Sequence, residues 1–317
     1  MKLCLPAPST LLMAVLKGVL TATLTLTGIS ASAEGFRFMA LGDMPYHSPG
    51  LFDQLIQRIN AQPVRFTIHV GDFKAGSTLC DDQTFDKVYR QFMAFDQALI
   101  YTPGDNEWTD CHRKNNGGYD PLERLQKIRQ RFFASDASLG QHPLKLELQS
   151  SSEEFRDFSE NRRWSVKGIS FATIHMVGSN NNLQPELPSS REFAQRNAAN
   201  IAWMRSTFAS AKANGHVAVV LAMQADTFQH PGRPPETGVA EWVEAFREEA
   251  AVWRKPVLLI QGDTHQFKTD RPFEKTYPPA GQVQRVVVPG EHISDAVLIE
   301  VNTDRPDQPF AIRLLGQ

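Results

Sequence analysis

Short apolar runs and amphipathic stretches alternate through the first third of the chain. Phe36–Leu41, 65–70 and 98–103 are apolar, brief and closed by glycine, which predicts buried strands. Between the first two, Leu51, Leu55, Ile56 and Ile59 recur at helical spacing and predict a helix near 50–61; a second is expected near 83–97. The run reads β-α-β-α-β at about thirty residues per unit, the usual length of a parallel crossover. Residues 112–163 are polar, with a helix expected near 120–134 and a loop at Ser150–Glu154. Ile169–Val177 predicts a strand that ends at Gly178-Ser179-Asn180-Asn181, where Asn180 to Asn182 either face a site or make a turn, the turn being favoured. Then come a long helix over Gln195–Ala213, a very apolar strand over His216–Met223, a helix over Val239–Trp253 and a strand over Pro256–Gln261. The end of the chain changes character, since 283–288, 295–301 and 309–315 predict strands separated by turns alone. Strands that first alternate with helices and then follow one another imply a mixed sheet, or two sheets packed together.

Four of the strand-like runs end in Gly-Asp, at Gly42-Asp43, Gly71-Asp72, Gly104-Asp105 and Gly262-Asp263, and the dipeptide occurs nowhere else. Any one such pair is an ordinary turn or helix cap, because Asp accepts hydrogen bonds from nearby amides. Four of them in the same strand context point to something more. Ligands sit at strand carboxyl ends in open α/β sheets, and glycine permits the sharp turn there. Carboxylates gathered at one edge repel unless a positive charge lies between them, so a metal centre is expected.

The ends and the composition set the frame. Met1-Lys2, the apolar stretch Leu11 to Leu26 and the small residues Ala31-Ser32-Ala33 predict a signal peptide over residues 1–33, cleaved before Glu34. No later stretch approaches the roughly twenty apolar residues that span a bilayer. A single domain over residues 34–317, periplasmic or secreted, is therefore expected. Without residues 1–33 the chain carries 31 basic and 35 acidic residues, a formal charge of −4, which does not support nucleic-acid binding by bulk charge. Cys4 leaves with the signal peptide. Cys80 and Cys111 then remain, and an even pair in an oxidising compartment predicts one disulfide, with two buried thiols as the alternative. His69 and His175 lie within apolar strands and read as hydrogen-bonded core residues, and Phe92, Phe95, Phe132 and Phe133 read as core.

In this order the motifs resemble those of the calcineurin-like metallophosphoesterases. That family carries Asp-x-His, Gly-Asp, Gly-Asn-His-(Asp/Glu), a His after a strand, and Gly-His-x-His. Here Gly42-Asp43-Met44-Pro45, Gly71-Asp72, Gly104-Asp105-Asn106-Glu107, Ala222-Met223-Gln224 and Gly262-Asp263-Thr264-His265 occupy those places. The resemblance covers residue 36 to about 300 and implies a four-layer αββα sandwich of two mixed sheets, with a two-metal site at the strand carboxyl ends. It implies one metal on Asp43, Asp72 and His265, and a second on Asp72, Asp105, Gln224 and Asp263. The family's His falls at Pro45 and is missing; His47 is a candidate replacement.

Gln224 and Asp263 stand where the family has histidines, which makes the second position all-oxygen. Oxygen donors suit harder cations, so manganese or magnesium is favoured, with calcium, iron or zinc possible, and one or two ions bound. Asn106 replaces the family's catalytic His; its amide can stabilise charge but cannot transfer a proton. His112 is the nearest proton source by sequence, while Lys74 and Arg113 are either phosphate contacts or ordinary loop charges. The implied activity is hydrolysis of a phosphate mono- or diester, a phosphorylated small molecule for example, by attack of a metal-bound hydroxide. The alternatives are a weakly catalytic domain that binds a phosphorylated ligand or partner, and a calcium-stabilised structural domain.

Overall fold

The computed structural model describes residues 1–5, 35–46, 48–183, 189–229, 235–276 and 280–317. Residues 6–33 of the predicted signal peptide and His47 lie outside the described residues. In chain order the elements are β1 Phe36–Leu41, α1 Pro49–Asn60, β2 Phe66–His69, α2 Asp82–Phe92, β3 Ala98–Tyr101 and α3 Pro121–Phe132. They continue with β4 Glu147–Leu148, β5 Arg162–Val166, β6 Ile169–Thr173, the irregular turn α4 Gly178–Asn181, α5 Ser189–Ala213 and β7 Ala218–Ala222. The last are α6 Thr237–Trp253, β8 Val257–Gln261, β9 Lys268–Asp270, β10 Val283–Val287, β11 Val297–Val301 and β12 Phe310–Leu314.

Helix starts follow local chemistry. Asp81 caps α2 by accepting from the Thr84 amide at 2.8 Å, and Asp120 caps α3 through Glu123 at 2.9 Å, with Pro121 opening the first turn. Each α2 turn then buries one apolar residue: Phe85, Val88 and Phe92.

The strands form two mixed sheets, in the orders β12-β11-β1-β2-β3 and β4-β5-β6-β7-β8-β10-β9. In the first, β1, β2 and β3 are parallel, with β11 antiparallel to β1; in the second, β6, β7, β8 and β10 are parallel. Side chains alternate across each strand and so divide the core into three layers. Phe38, Ala40, Phe66 and Ile68 meet Phe171, Val220 and Ile260 between the sheets. Met39, Leu41 and Tyr101 face Phe52, Phe92 and Phe132 of α1 to α3, while Leu221 and Leu259 face Trp203, Met204 and Trp242 of α5 and α6. This is the expected four-layer αββα sandwich with two mixed sheets.

Local expectations fared unevenly. The three terminal strands do not lie side by side: β11 pairs with β12 in the first sheet, whereas β10 joins the second beside β8. Val286 buries its side chain in the layer between the sheets, along with Val297 and Ile299 from the opposite sheet, so local sequence carries no mark of the crossing. Strands β4, β5 and β9 were not expected, because Arg162, Arg163, Lys268 and Asp270 hide their character behind charge. Ser150–Glu154 forms tight 3₁₀ turns, and α5 starts six residues before Gln195. Cys80 and Cys111 are joined in a disulfide, which excludes the two-thiol alternative and ties the segment after β2 to the segment after β3. No helix among the described residues is long and apolar enough to cross a membrane.

Candidate metal centre

Parallel strands deliver their carboxyl ends to one edge, and that is where the four Gly-Asp pairs meet. Asp43, Asp72 and Asp105 follow β1, β2 and β3; Gln224 follows β7; Asp263 and His265 follow β8. Asp43, Asp72 and His265 each offer a ligand atom within 4.8 Å of the others. Asp43 Oδ1 accepts from the Asp263 amide at 3.0 Å and lies 3.4 Å from His265 Nε2. Asp72 Oδ2 accepts from Asn106 Nδ2 at 2.9 Å and from Gln224 Nε2 at 3.2 Å, while its Oδ1 takes the Asn106 amide at 3.1 Å. The Ser179 hydroxyl donates to Asp105 Oδ2 at 2.6 Å.

The glycines serve in more than one way. The aspartates Asp43, Asp72 and Asp263 are themselves left-handed, with φ of 55°, 53° and 72°, and at the second pair Gly71 also has a positive φ, 103°. His265, at 58°, shares that unfavourable region. Glycine is also needed for closeness. A Cβ on Gly104 would sit 2.1 Å from Asp72 Oδ1, and one on Gly262 would sit 2.7 Å from Asp43 Oδ2. At Gly178, which carries no Gly-Asp signature, a Cβ would meet Asp263 Oδ1 at 2.7 Å and Asp105 Oδ1 at 3.0 Å.

Burial makes this edge electrostatically unusual. Asp43, Asp72, Asp105 and Gln224 are buried, and Asp263 and His265 are half-buried. Loss of solvent is the largest influence on Asp72, whose carboxyl is pushed well above its ordinary range, followed by the charge of Asp105. The same two causes push Asp263 up to about 7, and burial also raises Asp43. Glu107, fully buried, is pushed up to about 7 by burial, although the Gly104 amide and the Tyr101 hydroxyl donate to it. Asp43 Oδ2 and Asp105 Oδ1 are buried with no hydrogen-bond partner. Orphaned acceptors on crowded, desolvated acids are the donor set a divalent cation requires, so the residues present fit one.

Two amides and two histidines need separate description. Gln224 Oε1 accepts the Gly178 amide, which leaves its nitrogen facing Asp72. Asn106 stands over Asp72 as the sequence order suggests, and its Nδ2 also reaches the Tyr46 hydroxyl at 3.4 Å. His112 is exposed, and its ring is held by the Thr109 carbonyl at 2.7 Å rather than by any of these residues. His69 is buried in the core with its Nε2 toward the Met44 carbonyl at 2.9 Å and its Nδ1 accepting from Gly71 at 3.2 Å. It braces the loops that carry Asp43 and Asp72, and burial lowers it to about 4. Arg113 pairs with Asp110, and the buried Lys74 donates to the Ala75 carbonyl at 3.0 Å.

Sequence reasoning missed Tyr46, Ser179 and Glu291. Tyr46 Oη lies 3.2 Å from His265 Nε2, and Glu291 accepts the amides of Tyr46 and Ser48. Ser179 sits in a run of four left-handed residues, Ser179 to Asn182, with φ between 51° and 59°. Asn180 Oδ1 holds that turn by accepting the Gly238 amide at 2.7 Å, and Arg196 donates to both the side chain and the carbonyl of Asn181. The polar Gly-Ser-Asn-Asn run after β6 was the available clue, and there the turn was favoured over a site-facing role.

No protein-family model and no curated protein matches the chain. Solved structures do. A dimetal phosphatase from Danio rerio superposes with a TM-score of 0.56 at 12% identity, over 88% of this chain and 98% of that one. A purple acid phosphatase from yellow lupin seeds gives 0.48 at 12% identity, over 84% of this chain and 49% of that one, so the chain spans about half its length. With two mixed sheets between helical layers and an acidic edge at the parallel strand ends, the chain has the metallophosphoesterase fold, in a divergent form.

Proposed function

We propose that the protein is an exported, metal-dependent phosphoesterase that hydrolyses a phosphate mono- or diester. The observation that carries the reading is the set of four crowded carboxylates with two orphaned oxygens at one strand edge. Asp43, Asp72 and His265 would hold one divalent cation, and Asp72, Asp105 and Asp263 a second. Gln224 would join the second only with its amide reversed, against the Gly178 N–H, so the geometry favours a donor role toward Asp72. Cations there would offset the phosphate charge and acidify the attacking water. Four of the ligand residues, Asp43, Asp72, Asp105 and Asp263, present oxygen and only His265 presents nitrogen, which supports manganese or magnesium over zinc.

The chain's own groups divide the remaining tasks. The Asn106 amide supplies a hydrogen bond to developing negative charge. His112 and Tyr46 are the candidate proton sources, and the geometry favours Tyr46. Its hydroxyl borders both Asn106 and His265. Export is supported by the leader-like residues 1–33 and by the Cys80–Cys111 disulfide.

The test uses residues 34–317 on generic phosphomonoesters and diesters with manganese, magnesium, calcium or zinc, beside Asp72→Asn. Metal-dependent turnover that the variant loses supports the enzyme. Tight metal binding with no turnover above the variant identifies a binding domain instead.

A further inference from the structure

A cavity of about 460 Å³ opens directly beside the acidic edge, with Gly178 and Asp263 in its wall. That volume lies within the range of about 300–1,000 Å³ typical of small-molecule sites. Its lining includes the apolar residues Val177, Val239 and Val243 and the edge-to-face pair Phe228–Phe273 at 5.3 Å. Among the described residues, the three cations that line it are already ion-paired. Arg285 bonds Asp226 and Asp270, Lys268 lies 2.9 Å from Asp270, and Arg247 bonds Glu244. Acids outnumber cations in the lining, with Glu236 and Asp263 adding to the paired ones.

We propose that this cavity is the leaving-group subsite of the same centre and that it takes an apolar, aryl-sized group. The inference rests on the phosphoesterase reading and adds the substrate class to it. Continuity fixes the occupant: Gly178 and Asp263 belong to both the acidic edge and the cavity, so a phosphate held at the edge directs its ester substituent inward. The chemistry of the lining fixes its character. A ring gains contact with Phe228, Phe273 and the valines, whereas a second phosphate would meet Glu236, Glu244, Asp226 and Asp270 with no unpaired cation among the described lining residues to receive it. Nucleoside polyphosphates are thereby disfavoured and aryl phosphates favoured.

Ala240 lines the cavity from α6 and is half-buried, so a larger side chain there fills the space with little cost to the helix. The experiment compares wild type, Ala240→Trp and a volume-conserving Ala240→Ser on 1-naphthyl phosphate and on glycerol 3-phosphate, with melting curves as the folding check. Binding of 1-naphthol alone, without metal, is measured by calorimetry in parallel. Wild type is expected to prefer the naphthyl ester in kcat/KM by about tenfold or more. Ala240→Trp should remove that preference and abolish naphthol binding; Ala240→Ser should match wild type. Equal kcat/KM for the two esters, or a preference that survives Ala240→Trp in a folded protein, overturns the subsite. If neither ester turns over, naphthol binding decides: its loss in Ala240→Trp keeps the cavity as a ring-binding site while the phosphoesterase reading falls, and its absence in wild type overturns both.

Discussion

Two clusters of buried acid in this molecule have opposite electrostatics. Around Glu160, the protein supplies its own cation, Arg129, and a hydrogen-bonding imidazole, His175, which burial holds toward its neutral form. Arg129 bonds both carboxylate oxygens at 3.0 and 2.7 Å, and His175 Nδ1 lies at 2.7 Å. Burial alone would raise the Glu160 pKa, yet Arg129 and His175 outweigh it and hold the carboxyl well below its usual range. At the strand edge no internal cation among the described residues does the same for Asp72 and Asp263, and both shifts run upward. The lesson is that a buried charge matched from within stabilises one conformation, whereas unmatched charges at a strand edge call for a cation from outside.

The largest effect should come from neutralising the centre of the unmatched cluster. Asp72→Asn should cut metal-dependent turnover by about a thousandfold, roughly 4 kcal/mol in barrier, while raising the melting temperature of the metal-free protein. A variant that melts lower without metal would show that Asp72 is matched after all. Glu160→Gln should do the reverse, destabilising the fold by about 3–5 kcal/mol in urea because Arg129 loses its partner. Its metal affinity, read by calorimetry, should be unchanged.

Metal removal sharpens the contrast next. At a hundred times Kd, a bound cation stabilises by about 2.7 kcal/mol, and chelation should take that away at neutral pH. Folded Asp263 titrates near 7, above its unfolded value, so its contribution is complete below about pH 3.8 and fades as pH rises through 7. The metal-free protein should therefore gain stability from these acids on acidification from pH 8 to 5, narrowing the gap to the metal-bound form. A gap that widens over that interval would contradict the unmatched-charge reading. The smallest expected effect is in selectivity: Gln224→His together with Asp263→His should move the preference toward zinc by about tenfold, measured by competition with manganese.

The reach of sequence can be judged from particular residues. Strands β1, β2, β3, β7 and β8 were visible because each is apolar, short and punctuated, and their parallel arrangement followed from the intervening helices. Asp43, Asp72, Asp105, Asp263 and His265 were visible because each ends such a strand. Tyr46 and Glu291 were not: they are 245 residues apart in sequence, and no local pattern ties them to a site. Gly178 looked like turn material, and only the 2.7 Å approach to Asp263 reveals it as part of the wall.

By itself, then, the sequence determined the strand–helix alternation and the acid at the end of each critical strand. Those properties are local, since period and punctuation act within a few residues. Tertiary structure alone decided that β10 crosses to the second sheet and that the left-handed turn at Ser179 reaches Asp105. It also decided which buried acids are matched by cations and which are left for an external ion. Those outcomes depend on distance through space, and both desolvation and Coulomb interaction are set by what packs around a charge rather than by what adjoins it in the chain.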